Sequence, residues 1–535
     1  MMSPRITTAV RTLPRHPGTE TLSRRASLNA LAAVLDYGAR LAVGFAINPL
    51  LVKGLGDFGF GTWQVLDRLI GYVGPASGRA TQALKLRIAN QQSSEDESQK
   101  RQDVGGALGV WLMFLPLLLL SGGVIAWFSP EWLGAAITQY GTIRLAAGLL
   151  VAELVLTSLG ELPRSVLEGQ NLGYKRMGLS ALLVIGGGAL MALAVRFKTG
   201  LVGVAAASVV GTAMSGCLYL RVARSNVAWF GFTAPTADSV KRVFLLSWWL
   251  LLWNGLMKVM RGSDVVLLGL LASMELVTSY SLTKYVPETI VNLVAMVVFA
   301  TTPGLGGLIG AGDRDRARHV RGEIMAYTWL VTTAVGATTL VWNRAFLKLW
   351  VGGGHYAGPF ATLLIILSVI QFVLIRNDSN IIDLTLQLRT KVLVAALSTG
   401  LSLVLAGTLV RVFDLGIPGL CVGLMAGRIV LSLAYPWLVG RFLGLSTSRQ
   451  VQACARPALV TALLFWPATI AGKHASAGSW MALTAWVAAT VAPVCLLAFC
   501  LGLSSAQRAG LLRRLPLLLP AGGTRGGLRM ESPRQ

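Results

Sequence analysis

Apolar residues run along this chain in long unbroken stretches, and polar residues gather in the short segments between them. A helix needs about twenty consecutive apolar residues to cross a hydrocarbon core. Windows of that length fall at 28–52, 60–82, 104–127, 141–162, 177–196 and 201–220. After a polar stretch from Arg221 to Lys241, six more lie at 243–270, 286–310, 324–346, 358–376, 391–411 and 416–438, and a last pair at 456–472 and 478–503. The pattern predicts an all-α polytopic membrane protein with about fourteen transmembrane helices. Residues 1–27 read as a basic cytoplasmic tail, 28–222 as a first lobe (helices 1–6) and 223–242 as a cytoplasmic linker. Residues 243–440 read as a second lobe (helices 7–12), 456–503 as an extra helix pair and 504–535 as a disordered cytoplasmic tail.

The two halves echo each other at an offset of 213 to 216 residues, so the lobes are expected to be pseudo-symmetric, a common feature of transporter folds. Gly200, Gly203 and Gly211 recur as Gly416, Gly419 and Gly427 with the same spacings, Lys175 recurs as Lys391, and Trp127 as Trp342. Leu55-Gly56, with Gly59 and Trp63 after it, has its echo in Leu268-Gly269, with Tyr280 further on.

With 54% hydrophobic and 13% charged residues, the chain has more apolar surface than a soluble fold can hide. Its net charge of +24 comes from Lys and Arg scattered through short connections rather than along one stripe, which argues against nucleic acid as a partner. Assigning alternate connections to opposite sides places roughly two thirds of the basic residues on one face, including Arg314, Arg316, Arg318 and Arg321 in one loop. Basic loops stay in the cytoplasm, so both termini are expected there. The apolar stretch after the tail is interrupted by Asp36 and Arg40, which reads as a first helix rather than a cleaved signal.

Leu55-Gly56-Asp57-Phe58-Gly59-Phe60-Gly61-Thr62-Trp63, Val166-Leu167-Glu168-Gly169-Gln170 and Gly310-Ala311-Gly312-Asp313 give the chain a family likeness over about residues 25–440. In these segments it resembles the polysaccharide-biosynthesis flippases of the multidrug/oligosaccharidyl-lipid/polysaccharide exporter superfamily. The resemblance implies a two-lobed fold of twelve to fourteen helices. It also implies translocation of undecaprenyl-pyrophosphate-linked sugars out of the cytoplasmic leaflet of the inner (plasma) membrane, with other polysaccharide-assembly membrane proteins as partners.

Charges inside predicted spans are the candidate site, because a charge at the bilayer centre costs at least about 2.5–3.5 kcal/mol and persists where it faces a bundle interior or a wet cavity. Arg40, Arg68, Lys258, Arg261 and Arg428 are the basic candidates, positioned to hold a pyrophosphate in a low-dielectric cleft. Asp36, Asp67, Glu153, Asp264 and Glu288 are the acids that would pair with them or bind a coupling ion. Asp36 and Arg40 lie four apart on one helical face, and Lys258, Arg261 and Asp264 form one stripe on the seventh span. Within that stripe an Asp264–Arg261 pair, with Lys258 reaching the interface, is the structural alternative. Arg428 either completes the cationic surface or contacts lipid headgroups. Arg79 reads as an interfacial anchor, and Pro49, Pro75, Pro116, Pro303 and Pro436 permit bends.

Enzyme chemistry is poorly supplied. The four histidines, His16, His319, His355 and His474, fall in tails or loops, the five cysteines lack metal or disulfide spacing, and Asp378 and Asp383 are five apart, off a single helical turn. No Walker A motif occurs. The reading is therefore a transporter without cofactor or metal, its partners a lipid-linked anionic saccharide and the bilayer. A lipid-II-type precursor is a related cargo. A cation-coupled drug exporter of the same superfamily is the alternative, and a membrane polysaccharide polymerase or ligase the alternative of another class.

Overall fold

The structure is a computed structural model, which describes the backbone of residues 18–512 apart from 75–79, 92–95, 171, 173–174, 176–177, 235, 385–387, 506 and 511, with side chains from Leu35 onward at most positions. The tails before residue 18 and after 512, His16, Pro75, Arg79 and the side chain of Pro303 lie outside the described residues.

Helices follow the apolar windows closely: α1 (Gly18–Val73), α2 (Ala80–Asn90), α3 (Glu97–Trp132), α4 (Tyr140–Gly169), α5 (Leu179–Arg196), α6 (Gly200–Asn226) and α7 (Ala237–Leu271). They continue with α8 (Met274–Gly310), α9 (Arg314–Trp350), α10 (Pro359–Leu384), α11 (Leu388–Arg411), α12 (Gly416–Leu443), α13 (Thr447–His474) and α14 (Trp480–Leu497). Among the described residues there is no strand. Eleven helices among the described residues are long and apolar enough to cross a membrane.

The first two predicted spans share α1, which Gly56 breaks with φ 71° and ψ 174°, a conformation essentially reserved for glycine. Counting the halves of α1 separately and setting aside the short, polar α2 leaves fourteen long helical segments among the described residues. The largest boundary difference is at α8, which begins twelve residues before the predicted 286: Ser273 caps it by accepting from the Leu276 N–H, and three more turns precede the apolar run. Arg321, placed in a loop by hydropathy, lies inside α9. Much of the expected 223–242 linker is helical, being the ends of α6 and α7.

The chain divides into two compact units. The first comprises Met1–Leu50, Val73–Trp127 and Gly141–Leu251, and the second Leu51–Tyr72, Phe128–Tyr140 and Leu252–Gln535. Leu84, Ile88, Val104, Val166, Leu167 and Trp229 centre the core of the first, and Met260, Ile290, Val294, Phe372, Leu431 and Tyr435 that of the second. The second half of α1 thus belongs to the second unit and carries Arg68 into it.

Candidate functional site

In the second unit α7 sets Lys258, Arg261 and Asp264 three residues apart, while α8 sets Tyr280, Lys284 and Glu288 four apart. Both spacings line residues along one helical face. Asp264, 6% exposed, accepts from the Tyr280 hydroxyl at 2.6 Å and from the Lys284 ammonium, and its Oδ1 takes the Val265 N–H at 2.8 Å. Arg261 approaches Glu288 at 3.5 Å. Lys258 donates to the Gly71 carbonyl at 2.8 Å. The alternative Asp264–Arg261 pair does not form; two pairs cross from α7 to α8 instead, and Lys258 donates to the backbone of α1.

Arg428 on α12 is buried. It donates to Ser368 Oγ of α10 at 3.0 Å and to the Met260 carbonyl at 2.9 Å, and its guanidinium lies 5.5 Å from the Phe372 ring centre. Its place is thus protein interior, which rules out the headgroup contact allowed by the sequence. Arg68 is half-buried, and its Nε is shielded from solvent without a hydrogen-bond partner among the described residues, within the field of Glu288, Asp67 and Asp264. Asp67 itself is exposed.

These groups enclose a small cavity of about 30 Å³, lined by Arg261, Asp264, Lys284, Glu288, Ser368 and Arg428 among others. That volume holds one or two waters. Three bases and two acids line it, leaving one positive charge. One of the cations, Arg428, rests on neutral acceptors. Keeping a charge in the interior on neutral dipoles costs several kcal/mol in general, so the cluster is poised to gain from an anion.

The other candidates lie elsewhere. In the first unit Asp36 is half-buried and accepts from Ser180 at 3.1 Å, Arg40 is exposed, and Glu153 accepts from Thr212 at 3.1 Å. The two aspartates weighed as a metal site each hold a base instead. Asp378 takes both Arg321 Nε and Nη2 at 3.0 and 2.8 Å, and Asp383 takes Lys391 at 2.5 Å, whose ammonium also sits 3.4 Å from the centre of the Trp253 ring. Among the described residues no cluster of metal-ligating side chains forms.

Sequence reasoning missed Lys284, Tyr280 and Ser368. Tyr280-x3-Lys284-x3-Glu288 is a legible four-residue stripe, but hydropathy started the eighth span two residues after Lys284 and consigned it to a loop.

Neither a protein-family model nor a curated protein matches the chain. Solved structures do. An inward-facing multidrug-resistance MATE transporter of the MOP superfamily aligns at a TM-score of 0.62 and 12% identity, over 77% of this chain and 98% of that one. The lipid II flippase MurJ, in an inward closed conformation, aligns at 0.64 and 10% over 88% and 97%. A Pyrococcus furiosus MOP-superfamily transporter, described as having a binding pocket of reversed polarity, aligns at 0.53 and 14% over 81% and 100%. These similar structures are transporters and a flippase. The chain is a multi-pass membrane protein with the fold of MOP-superfamily transporters.

Proposed function

We propose that this protein flips a polyprenyl-pyrophosphate-linked oligosaccharide, a precursor of surface polysaccharide, across the inner membrane by alternating access, with both termini in the cytoplasm. The carrying observation is the excess of positive charge around the cavity of the second unit, where the buried Arg428 is held by neutral oxygens. A pyrophosphate leaving water needs such partners, and charge-assisted bonds in a low-dielectric site are the strong ones. An exporter of cationic drugs would need the opposite balance, with carboxylates in surplus. The cavity as it stands admits only water, so the headgroup enters when α7 and α8 separate from α10 and α12. Likeness to the lipid II flippase in fold supports a lipid-borne cargo, and the basic excess supports an anionic one.

The test is the pair Lys258→Gln and Arg261→Gln made together, with surface glycan and membrane insertion both measured. Export should fall at least about tenfold, the effect of losing roughly 1.4 kcal/mol of binding, while insertion is retained. Undiminished glycan export, or efflux of cationic dyes that survives in the double variant, would sink the anion reading in favour of drug export.

A further inference from the structure

We propose that the first unit carries a binding groove for one anionic phospholipid of the cytoplasmic leaflet, separate from the charged cluster of the second unit and independent of the cargo. The groove encloses about 670 Å³, within the range of ligand sites of roughly 300–1,000 Å³. Its walls are α3 (Val104, Leu108), α4 (Leu156, Leu159, Pro163) and α6 (Ala213, Gly216, Cys217, Leu220), and nearly all of its lining is apolar. The helices come together at Gly160 and Gly216, where a Cβ on Gly160 would lie 3.1 Å from the Gly216 Cα, so side-chain bulk is missing along this seam.

The segment Phe230–Phe232 lines its mouth. That strap is tied to α3 by Arg101, whose Nε donates to the Trp229 carbonyl at 2.9 Å, and by the Thr233 N–H, which donates to the Arg101 carbonyl at 3.3 Å. Arg224 stands at the same mouth, in the last turn of α6. It is exposed and makes no hydrogen bond or ion pair among the described residues. Arg221, one turn earlier, is also exposed.

Three features select the occupant. The first is charge: an unpaired guanidinium at the end of an apolar trough matches an acidic headgroup with a hydrocarbon chain, and a zwitterionic lipid matches it less well. The second is depth. From Arg224 to Thr212 the groove runs twelve residues along α6, about 18 Å at 1.5 Å per residue, close to half of a ~30 Å hydrocarbon core. One chain of one leaflet fills it, with the headgroup on the side of the basic connections.

The third feature is the internal repeat. Shifting by 216 residues carries Leu159, Leu162, Gly216, Cys217 and Leu220 onto Ile375, Asp378, Ser432, Leu433 and Pro436, all of which line a groove of about 430 Å³ in the second unit. There the chain supplies its own cover, α13, through Val451, Cys454, Ala455 and Ala458. Among the described residues, the first unit's groove is walled by α3, α4, α6 and the strap. A lipid occupies in one unit the place that an apolar helix occupies in the other.

Cys217 reports on the groove because it is exposed within it. Purified full-length protein in dodecyl maltoside is mixed with phosphatidylglycerol or phosphatidylcholine, and maleimide modification of Cys217 is followed by peptide mass spectrometry. Phosphatidylglycerol should slow the reaction about fivefold more than phosphatidylcholine, the ratio expected from one basic residue at a lipid surface. Arg224→Glu, a change at an exposed side chain, should abolish the difference. Equal protection by the two lipids, or a preference untouched by Arg224→Glu, would overturn the proposal. So would protection by polyprenyl phosphate with none from phosphatidylglycerol, which would give the groove to the cargo. A Cys217–Cys217 cross-link between two copies would give it to a second copy of the chain.

Discussion

The hairpin α5–α6 of the first unit and the hairpin α11–α12 of the second start alike and end differently. Both helices α6 and α12 are entered through a left-handed pair, Lys198 (φ 54°) with Gly200 (φ 66°) and Asp414 (φ 49°) with Gly416 (φ 50°), in step with the 216-residue repeat. Further along they part. On α12 a Cβ at Gly427 would overlap the backbone of Ser402, so α11 and α12 touch main chain to main chain. On α6 the equivalent Gly211 would place its Cβ an ordinary 3.5 Å from the Gly187 Cα. One residue on, α6 carries Thr212, which donates to Glu153 at 3.1 Å, whereas α12 carries Arg428, which donates to Ser368 at 3.0 Å. The same backbone position thus supplies a hydroxyl on a carboxylate in one unit and a guanidinium on a hydroxyl in the other. Repetition preserved the turn into the helix, while the packing of the seam and the side chain that follows it diverged.

The comparison can be broken most forcefully at the acid that has no counterpart in the first unit. Asp264→Asn strands the Lys284 ammonium in the interior, and we expect a loss of about 3–5 kcal/mol in detergent-solubilised thermal unfolding. Adding Lys284→Met should restore most of it, and a double variant as unstable as the single one would mean that the pair is not what Asp264 serves. Next comes the helix seam. Gly427→Ala should cost about 1–3 kcal/mol by forcing α11 and α12 apart, whereas Gly211→Ala should be neutral or stabilise by up to roughly 1 kcal/mol through helix propensity. Equal costs would erase the distinction between the hairpins.

A smaller effect is expected from Thr212→Val, which removes the hydroxyl bonded to Glu153 and should cost about 0.5–1.5 kcal/mol. The smallest belongs to Lys85→Ala, which breaks a 2.9 Å pair with Glu168 in which the lysine side chain is 49% exposed. Its cost should be at most about 1 kcal/mol and should shrink as salt is added. A large, salt-independent penalty there would make this pair behave like the more buried Arg87–Asp103 bridge of the same unit rather than as an exposed one.

Much of the fold was legible along the chain because the bilayer imposes a length. Runs of about twenty apolar residues end where polar ones begin, and the helices among the described residues follow those runs. The break at Gly56 fell between two windows, as a residue able to adopt positive φ should. The site was legible by half. Lys258, Arg261, Asp264, Glu288 and Arg428 were visible as charges inside apolar runs, yet their partners were not, since the Asp264–Lys284 and Arg428–Ser368 contacts join residues 20 and 60 positions apart. Lys284 escaped notice because its helix begins on polar residues held by a cap, which hydropathy does not register.

What the amino-acid sequence determined by itself, then, is the all-helical class, the approximate place of the helices and the presence of charge within apolar runs, because each follows from local composition against a membrane of given thickness. Which cation meets which anion, which glycines let two backbones touch, and which groove is covered by α13 and which left open were decided only by packing. These depend on distances between segments remote in the chain, where burial turns a pairing of charges into several kcal/mol or a liability of similar size.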